Sequence, residues 1–165
     1  MTSPGNVHAI DTGVSIGHVH LKVSNLERAL DFYCRVLGFE ITQRIGDHAA
    51  FISAGGYHHH IALNTWESLD GPQPPKNATG LFHLAILYPT RAALVQAFHR
   101  LKDAGITIDG ASDHGVSEAL YVRDPDGNGI ELCVDRPEKE WPRDEDGRLK
   151  MVTKRLDVEF LENDT

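Results

Sequence analysis

Between residues 16 and 23 apolar and polar positions alternate. Val19, Leu21 and Val23 fall on one face and His18, His20 and Lys22 on the other, the period of a half-buried strand. The period then changes. Leu26, Leu30, Tyr33 and Leu37 recur at helical spacing, Ser24-Asn25-Leu26-Glu27 has the form of a capping box, and Gly38 supplies a stop. Strand patterns follow over 39–45 and 48–53, turning at Gly46-Asp47, and over 57–65 after Gly55-Gly56. Residues 66–79 hold three prolines and little periodicity, which predicts a linker. The same order then returns. A strand spans 81–87, and Thr90 caps a helix with Leu94, Ala97 and Leu101 on one stripe and Gly105 at its end. A short strand over 106–110, a loop over 111–115 and strands over 116–122 and 130–134 complete the second half.

Strand, helix and three strands, repeated, predict an α+β fold of two βαβββ modules, 16–66 and 80–135, forming one domain over 1–135. Neither half has enough core to stand comfortably alone. Residues 136–165 differ. They are charged, yet Trp141, Met151, Val152, Leu156, Phe160 and Leu161 are spaced through them, which predicts a tail that packs on the body or on a partner subunit.

Charge and composition narrow the partners. Acidic residues outnumber basic ones 24 to 16, for a formal charge of −8, which disfavours nucleic acid and anionic membrane surfaces. No apolar run is long enough to span a bilayer, and no basic start with an apolar core opens the chain, so neither a membrane anchor nor a secretory leader is expected. The two cysteines, Cys34 and Cys133, lack metal or redox spacing and predict buried thiols in a reducing, cytoplasmic setting. Ten histidines are the unusual count.

Candidate chemistry centres on Tyr121-Val-Arg-Asp-Pro-Asp-Gly-Asn-Gly-Ile-Glu-Leu-Cys-Val134. The Asp124 to Gly129 run is rich in turn formers. Its Asp-x-Asp-x-Asn-Gly pattern mimics a calcium loop but lacks flanking helices and a Glu at position twelve, so a hairpin turn is expected. Beyond it Ile130, Leu132 and Val134 share one strand face, leaving Glu131 and Cys133 on the other. A carboxylate in that position needs a partner, and a metal is one way to supply it. Glu118 reads as a solvated charge. In a strand, His58 and His60 face away from His59, so the three cannot share one ion.

Gly17-His-Val-His-Leu-Lys-Val-Ser-Asn-Leu-Glu-Arg-Ala-Leu-Asp-Phe-Tyr33 with Val-Leu-Gly-Phe39, together with Asp124-Pro-Asp-Gly-Asn-Gly-Ile-Glu-Leu132, resembles the vicinal oxygen chelate superfamily. That superfamily includes glyoxalase I, bleomycin- and fosfomycin-resistance proteins and extradiol catechol dioxygenases. The resemblance covers roughly 16–135 and implies curved sheets around a shared metal site. By position it implies His18, His83 and Glu131 as metal ligands, with His20 as the alternative to His18 one alternation along. Glyoxalase I has a fourth protein ligand on the last strand of module one, where this chain has Ala62. Two imidazoles and one carboxylate form the facial triad of non-haem Fe(II) oxygenases, which leaves positions open for substrate and O2; Mn(II) suits the same set.

The resemblance thus extends to small catechol 2,3-dioxygenase-type enzymes and implies three catalytic residues. His59 would act on oxygen and deliver a proton, and His114 and Tyr121 would orient the substrate. The expected reaction is O2-dependent cleavage of a catechol beside its two hydroxyls to a muconic semialdehyde, in aromatic hydrocarbon catabolism, by a homo-oligomer. The alternatives are a metal-dependent glyoxalase, isomerase or thiol transferase of the same fold, which Ala62 argues against, and a non-enzymatic module that binds an aromatic drug.

Overall fold

In the computed structural model, residues 9–158 are described. His8, Phe160 and Leu161 lie outside them.

Strand β1 (Val19–Lys22) buries Leu21 and leads through Val23 into helix α1 (Leu26–Leu30). The cap is Asn25, one residue beyond the expected Ser24: its side-chain oxygen accepts from the Arg28 N–H at 2.9 Å. That frees the Ser24 hydroxyl to donate to Asp126 in the other half, at 2.6 Å. The helix also changes pitch, continuing as a π-helical segment over Asp31–Val36. The Leu37 N–H reaches back five residues to the Phe32 carbonyl, and Phe32, Tyr33, Val36 and Leu37 are all buried.

Strands β2 (Glu40–Ile45), β3 (Ala49–Ser53) and β4 (Ile61–Asn64) complete the first sheet, in the order β1-β4-β3-β2. The second half repeats this with β5 (Leu84–Leu87), α2 (Arg91–Asp103), β6 (Gly110–Asp113), β7 (Ser117–Arg123) and β8 (Gly129–Asp135). Thr90 caps α2 as expected, accepting from the Ala93 N–H.

Two strands move from their expected places. Residues 57–60 precede β4 instead of belonging to it. Strand β6 begins at Gly110, and 106–109 leave α2 as a connection outside the strand ladder, bonded to it through the Asp109 N–H and the Tyr121 carbonyl, with Ile106 and Ile108 still packed on the core. Apolar alternation marked those two side chains, but strand identity rests on backbone pairing, which starts at Gly110 opposite Tyr121. Beyond β8 the chain makes a 3-10 turn (Glu138–Glu140) and then β9 (Lys154–Arg155), paired antiparallel with β6. The second sheet is therefore β5-β8-β7-β6-β9.

One hydrophobic cluster joins the halves, from Leu21 and Leu63 to Leu94, Leu120 and Leu132. The Tyr33 hydroxyl donates to Asp124 Oδ2 at 3.0 Å in a buried contact between the halves. Burial raises the Asp124 carboxyl above the usual range, against the hydrogen bonds it accepts from Asn128, Tyr33 and Asp126. The turn over 124–128 thus closes on its own first carboxylate, as an Asx turn does. Glu118 is buried, not solvated: it accepts from Arg91 and Arg136, both at 2.8 Å. Among the described residues no helix is long and apolar enough to cross a membrane.

Candidate functional site

Strand β8 buries Ile130, Leu132 and Val134 in the core and turns Glu131 and Cys133 to the opposite face. Pairing sets Glu131 in a row across the sheet, Ala85, Glu131, Tyr121 and Gly110. His83 lies two residues before Ala85, just ahead of β5, and its Nε2 is 2.7 Å from Glu131 Oε2. The Tyr121 hydroxyl is 3.3 Å from Glu131 Oε1 and 2.7 Å from His114 Nε2. His114 Nδ1 lies 3.1 Å from the Val152 carbonyl oxygen and 3.3 Å from Thr153 Oγ1. His83, Glu131, Tyr121 and His114 therefore form one continuous chain of polar contacts. Burial, and then the charge of Glu131, push the Tyr121 phenol up to about 12. Burial, followed by the charges of Glu131 and Asp135, pushes the Cys133 thiol up to about 11.

The remaining two residues sit in the first half. The His18 and His59 rings are 4.4 Å apart, and His59 also meets Phe51 at 5.0 Å. Because 57–60 are not a strand, His58 is not turned away from His59; their Nδ1 atoms are 2.7 Å apart. Partial burial, then His18, His58 and the other neighbouring imidazoles, hold His59 below the ordinary histidine value. His20 is occupied elsewhere, accepting from the Asn64 amide at 2.8 Å and lying edge-on to Trp66.

Register makes the halves directly comparable. Val19 pairs with Ile61 as Leu84 pairs with Ile130. His18 is thus the counterpart of His83, and His20 that of Ala85. Ala62 is the counterpart of Glu131, and Phe51 that of Tyr121. The first half keeps the imidazole and lacks both the acid and the phenol.

A cleft of about 360 Å3 is lined by His18, Val19 and Ile61 of the first half and by Leu84, Ile86 and Leu87 of the second. A second, of about 290 Å3, lies beside His83 and Tyr121, with Phe82 and Gly110 in its wall. Among the described residues no three His, Cys, Asp or Glu side chains close into a metal-binding group, so His18 does not join His83 and Glu131. The pair itself suits a divalent metal. It combines an imidazole nitrogen and a carboxylate oxygen 2.7 Å apart, both of them donor types that such ions take.

The family model for the Glyoxalase/Bleomycin resistance protein/Dioxygenase superfamily matches residues 15–132. The chain belongs to that superfamily. It is 42% identical to a catechol-2,3-dioxygenase of Bacillus subtilis (strain 168) over 157 residues, 93% of this chain and 53% of that protein. It is 36% identical to biphenyl-2,3-diol 1,2-dioxygenase 2 of Rhodococcus globerulus, over 72% of this chain and 61% of that one. The chain thus spans roughly half to three fifths of the length of these relatives. A solved glyoxalase/dioxygenase from Nostoc punctiforme superposes with a TM-score of 0.64 at 21% identity, covering 82% of this chain and all of that one, which shows the superfamily fold with its two curved sheets.

Sequence reasoning missed Val152 and Thr153. They meet the site through a backbone carbonyl and a hydroxyl, and neither residue type signals such a role.

Proposed function

We propose that this protein is an extradiol dioxygenase that cleaves catechol-type substrates next to their two hydroxyls. The observation that carries the reading is the contact chain His83–Glu131–Tyr121–His114, set against Ala62 at the position equivalent to Glu131. One acid and one phenol beside an imidazole suit a site that leaves coordination positions free. The similarity to the two dioxygenases supports the same reading.

In this reading His83 and Glu131 would hold Fe(II), or Mn(II), and His18, which this structure does not bring to them, would have to move to the pair to complete the set as third donor. The metal, when bound, supplies positive charge that acidifies a catechol hydroxyl and brings O2 beside the ring. Tyr121 and His114 place hydrogen-bonding groups beside Glu131, where the substrate oxygens would be oriented. The Tyr121 phenol stays protonated at neutral pH, held so by its burial and by Glu131. His59, held below the ordinary histidine value by partial burial and its neighbouring imidazoles, can take up and return a proton on the His18 side. Two free cysteines suit a reducing, cytoplasmic setting.

The test is anaerobic reconstitution with Fe(II), followed by a catechol and then air, with O2 uptake and the yellow ring-opened product as readouts. Uptake matched by product supports the proposal. Absence of uptake with catechol, methylcatechols and dihydroxybiphenyl overturns it.

A further inference from the structure

We propose that the Val152 backbone carbonyl, in the segment following the second half, is a positioning group. It holds His114 as the Nδ1–H tautomer and thereby makes Nε2 the acceptor of the Tyr121 proton. The inference deepens the reading of His114 and Tyr121 as substrate-orienting residues.

A carbonyl oxygen can only accept, so the ring nitrogen 3.1 Å from Val152 O carries hydrogen. Thr153 Oγ1, 3.3 Å from the same nitrogen, can donate or accept and does not alter that assignment. A neutral imidazole has a single N–H, so Nε2 is bare and the Tyr121 hydroxyl, at 2.7 Å, donates to it. The alternative recipient, Glu131 Oε1, is farther at 3.3 Å. With its proton committed to His114, the Tyr121 oxygen keeps lone pairs for a substrate hydroxyl. The opposite tautomer would place an Nε2–H against Tyr121 and turn the phenol proton toward Glu131, where it would compete for the carboxylate.

The segment is fastened at this point. The Val152 N–H donates to the His114 carbonyl at 3.1 Å, so backbone and ring bond each other reciprocally. Strand β9 pairs with Ser112 and Asp113, and the Lys150 N–H donates to the Pro142 carbonyl. Gly115, at φ +75, lets the strap approach: a Cβ there would lie 2.8 Å from Pro142 Cγ and 3.1 Å from Val152 Cγ2. Arg136 ties the start of the segment to Asp113 and Glu118.

The experiment records the imidazole 15N spectrum of the full-length protein after chelator treatment, at a pH where His114 is neutral, with His114→Asn to assign the signals. The expected result is a proton on Nδ1 and a bare Nε2. A proton on Nε2 overturns the proposal. Val152→Pro keeps the carbonyl but removes the N–H that ties it to His114, and is expected to shift part of the population to the Nε2–H form. A folded Val152→Pro protein whose His114 remains wholly Nδ1–H also overturns it; should that variant not fold, the unsubstituted spectrum decides. The readout needs neither metal nor substrate. Failure of catechol cleavage with Nδ1–H in place therefore rejects the proposed activity and leaves this inference standing.

Discussion

His83 Nε2 and Glu131 Oε2 lie 2.7 Å apart, although 48 positions separate the residues in the chain. Parallel pairing of β5 with β8 brings them together, since Ala85, two residues after His83, is the register partner of Glu131. An imidazole beside a carboxylate supplies two of the ligands of a divalent metal site. Glu131→Ala should therefore lose bound metal and O2 uptake together. His59→Ala should keep the metal while turnover falls by about 10²-fold or more, the usual contribution of a positioned proton carrier. Metal analysis run alongside O2 uptake separates the two, and loss of metal from His59→Ala would make His59 a ligand.

Gly129 lies against the entry to β5. A Cβ there would collide with the Phe82 carbonyl oxygen and come 3.1 Å from His83 Cβ. Backbone on one side cannot yield as a flexible side chain could. Gly129→Ala should destabilise by about 1–3 kcal/mol, the range for overpacking, and weaken metal retention by displacing His83. Urea denaturation with metal analysis checks both.

The Tyr33 hydroxyl bonds Asp124 where both groups are buried. Tyr33→Phe removes that donor but leaves the bonds from Asn128 and Asp126. The expected loss is about 1–2 kcal/mol, read as a lower urea midpoint at unchanged slope.

Tyr121 sets a high-pH signature. Its folded pKa, near 12, is above the unfolded value of about 10, so the folded state holds the proton more tightly. Its contribution to stability is complete below about pH 10 and declines as pH rises through 12. The urea midpoint should fall more steeply over that window in the unsubstituted protein than in Tyr121→Phe. Equal slopes would show that the phenol is not held up.

The fold was legible where side-chain period and backbone pairing agree. Glu131 stands out because Ile130, Leu132 and Val134 declare the other face of β8. Thr90 declares its helix start for a similar reason, with a hydroxyl just ahead of the first periodic residue. Glu118 was misread because nothing adjacent betrays its partners, Arg91 and Arg136, which lie 27 and 18 positions away. His58 and His59 were set on opposite faces by assuming a strand that begins only at Ile61. The sheet register matches His18 with His83, as the resemblance implied, where alternation alone treats His18 and His20 alike.

The turn that carries Asp124 and Asp126 is gripped from the opposite half by Ser24, Arg28 and Tyr33. The loop between β7, with Tyr121, and β8, with Glu131, is therefore braced by α1 and its π-helical continuation, which own neither residue. A lesion in that helix, remote from any ligand, would propagate as slack in the hairpin. The duplicated halves are consequently not interchangeable parts: one provides the buttress, and the other carries the acid and the phenol.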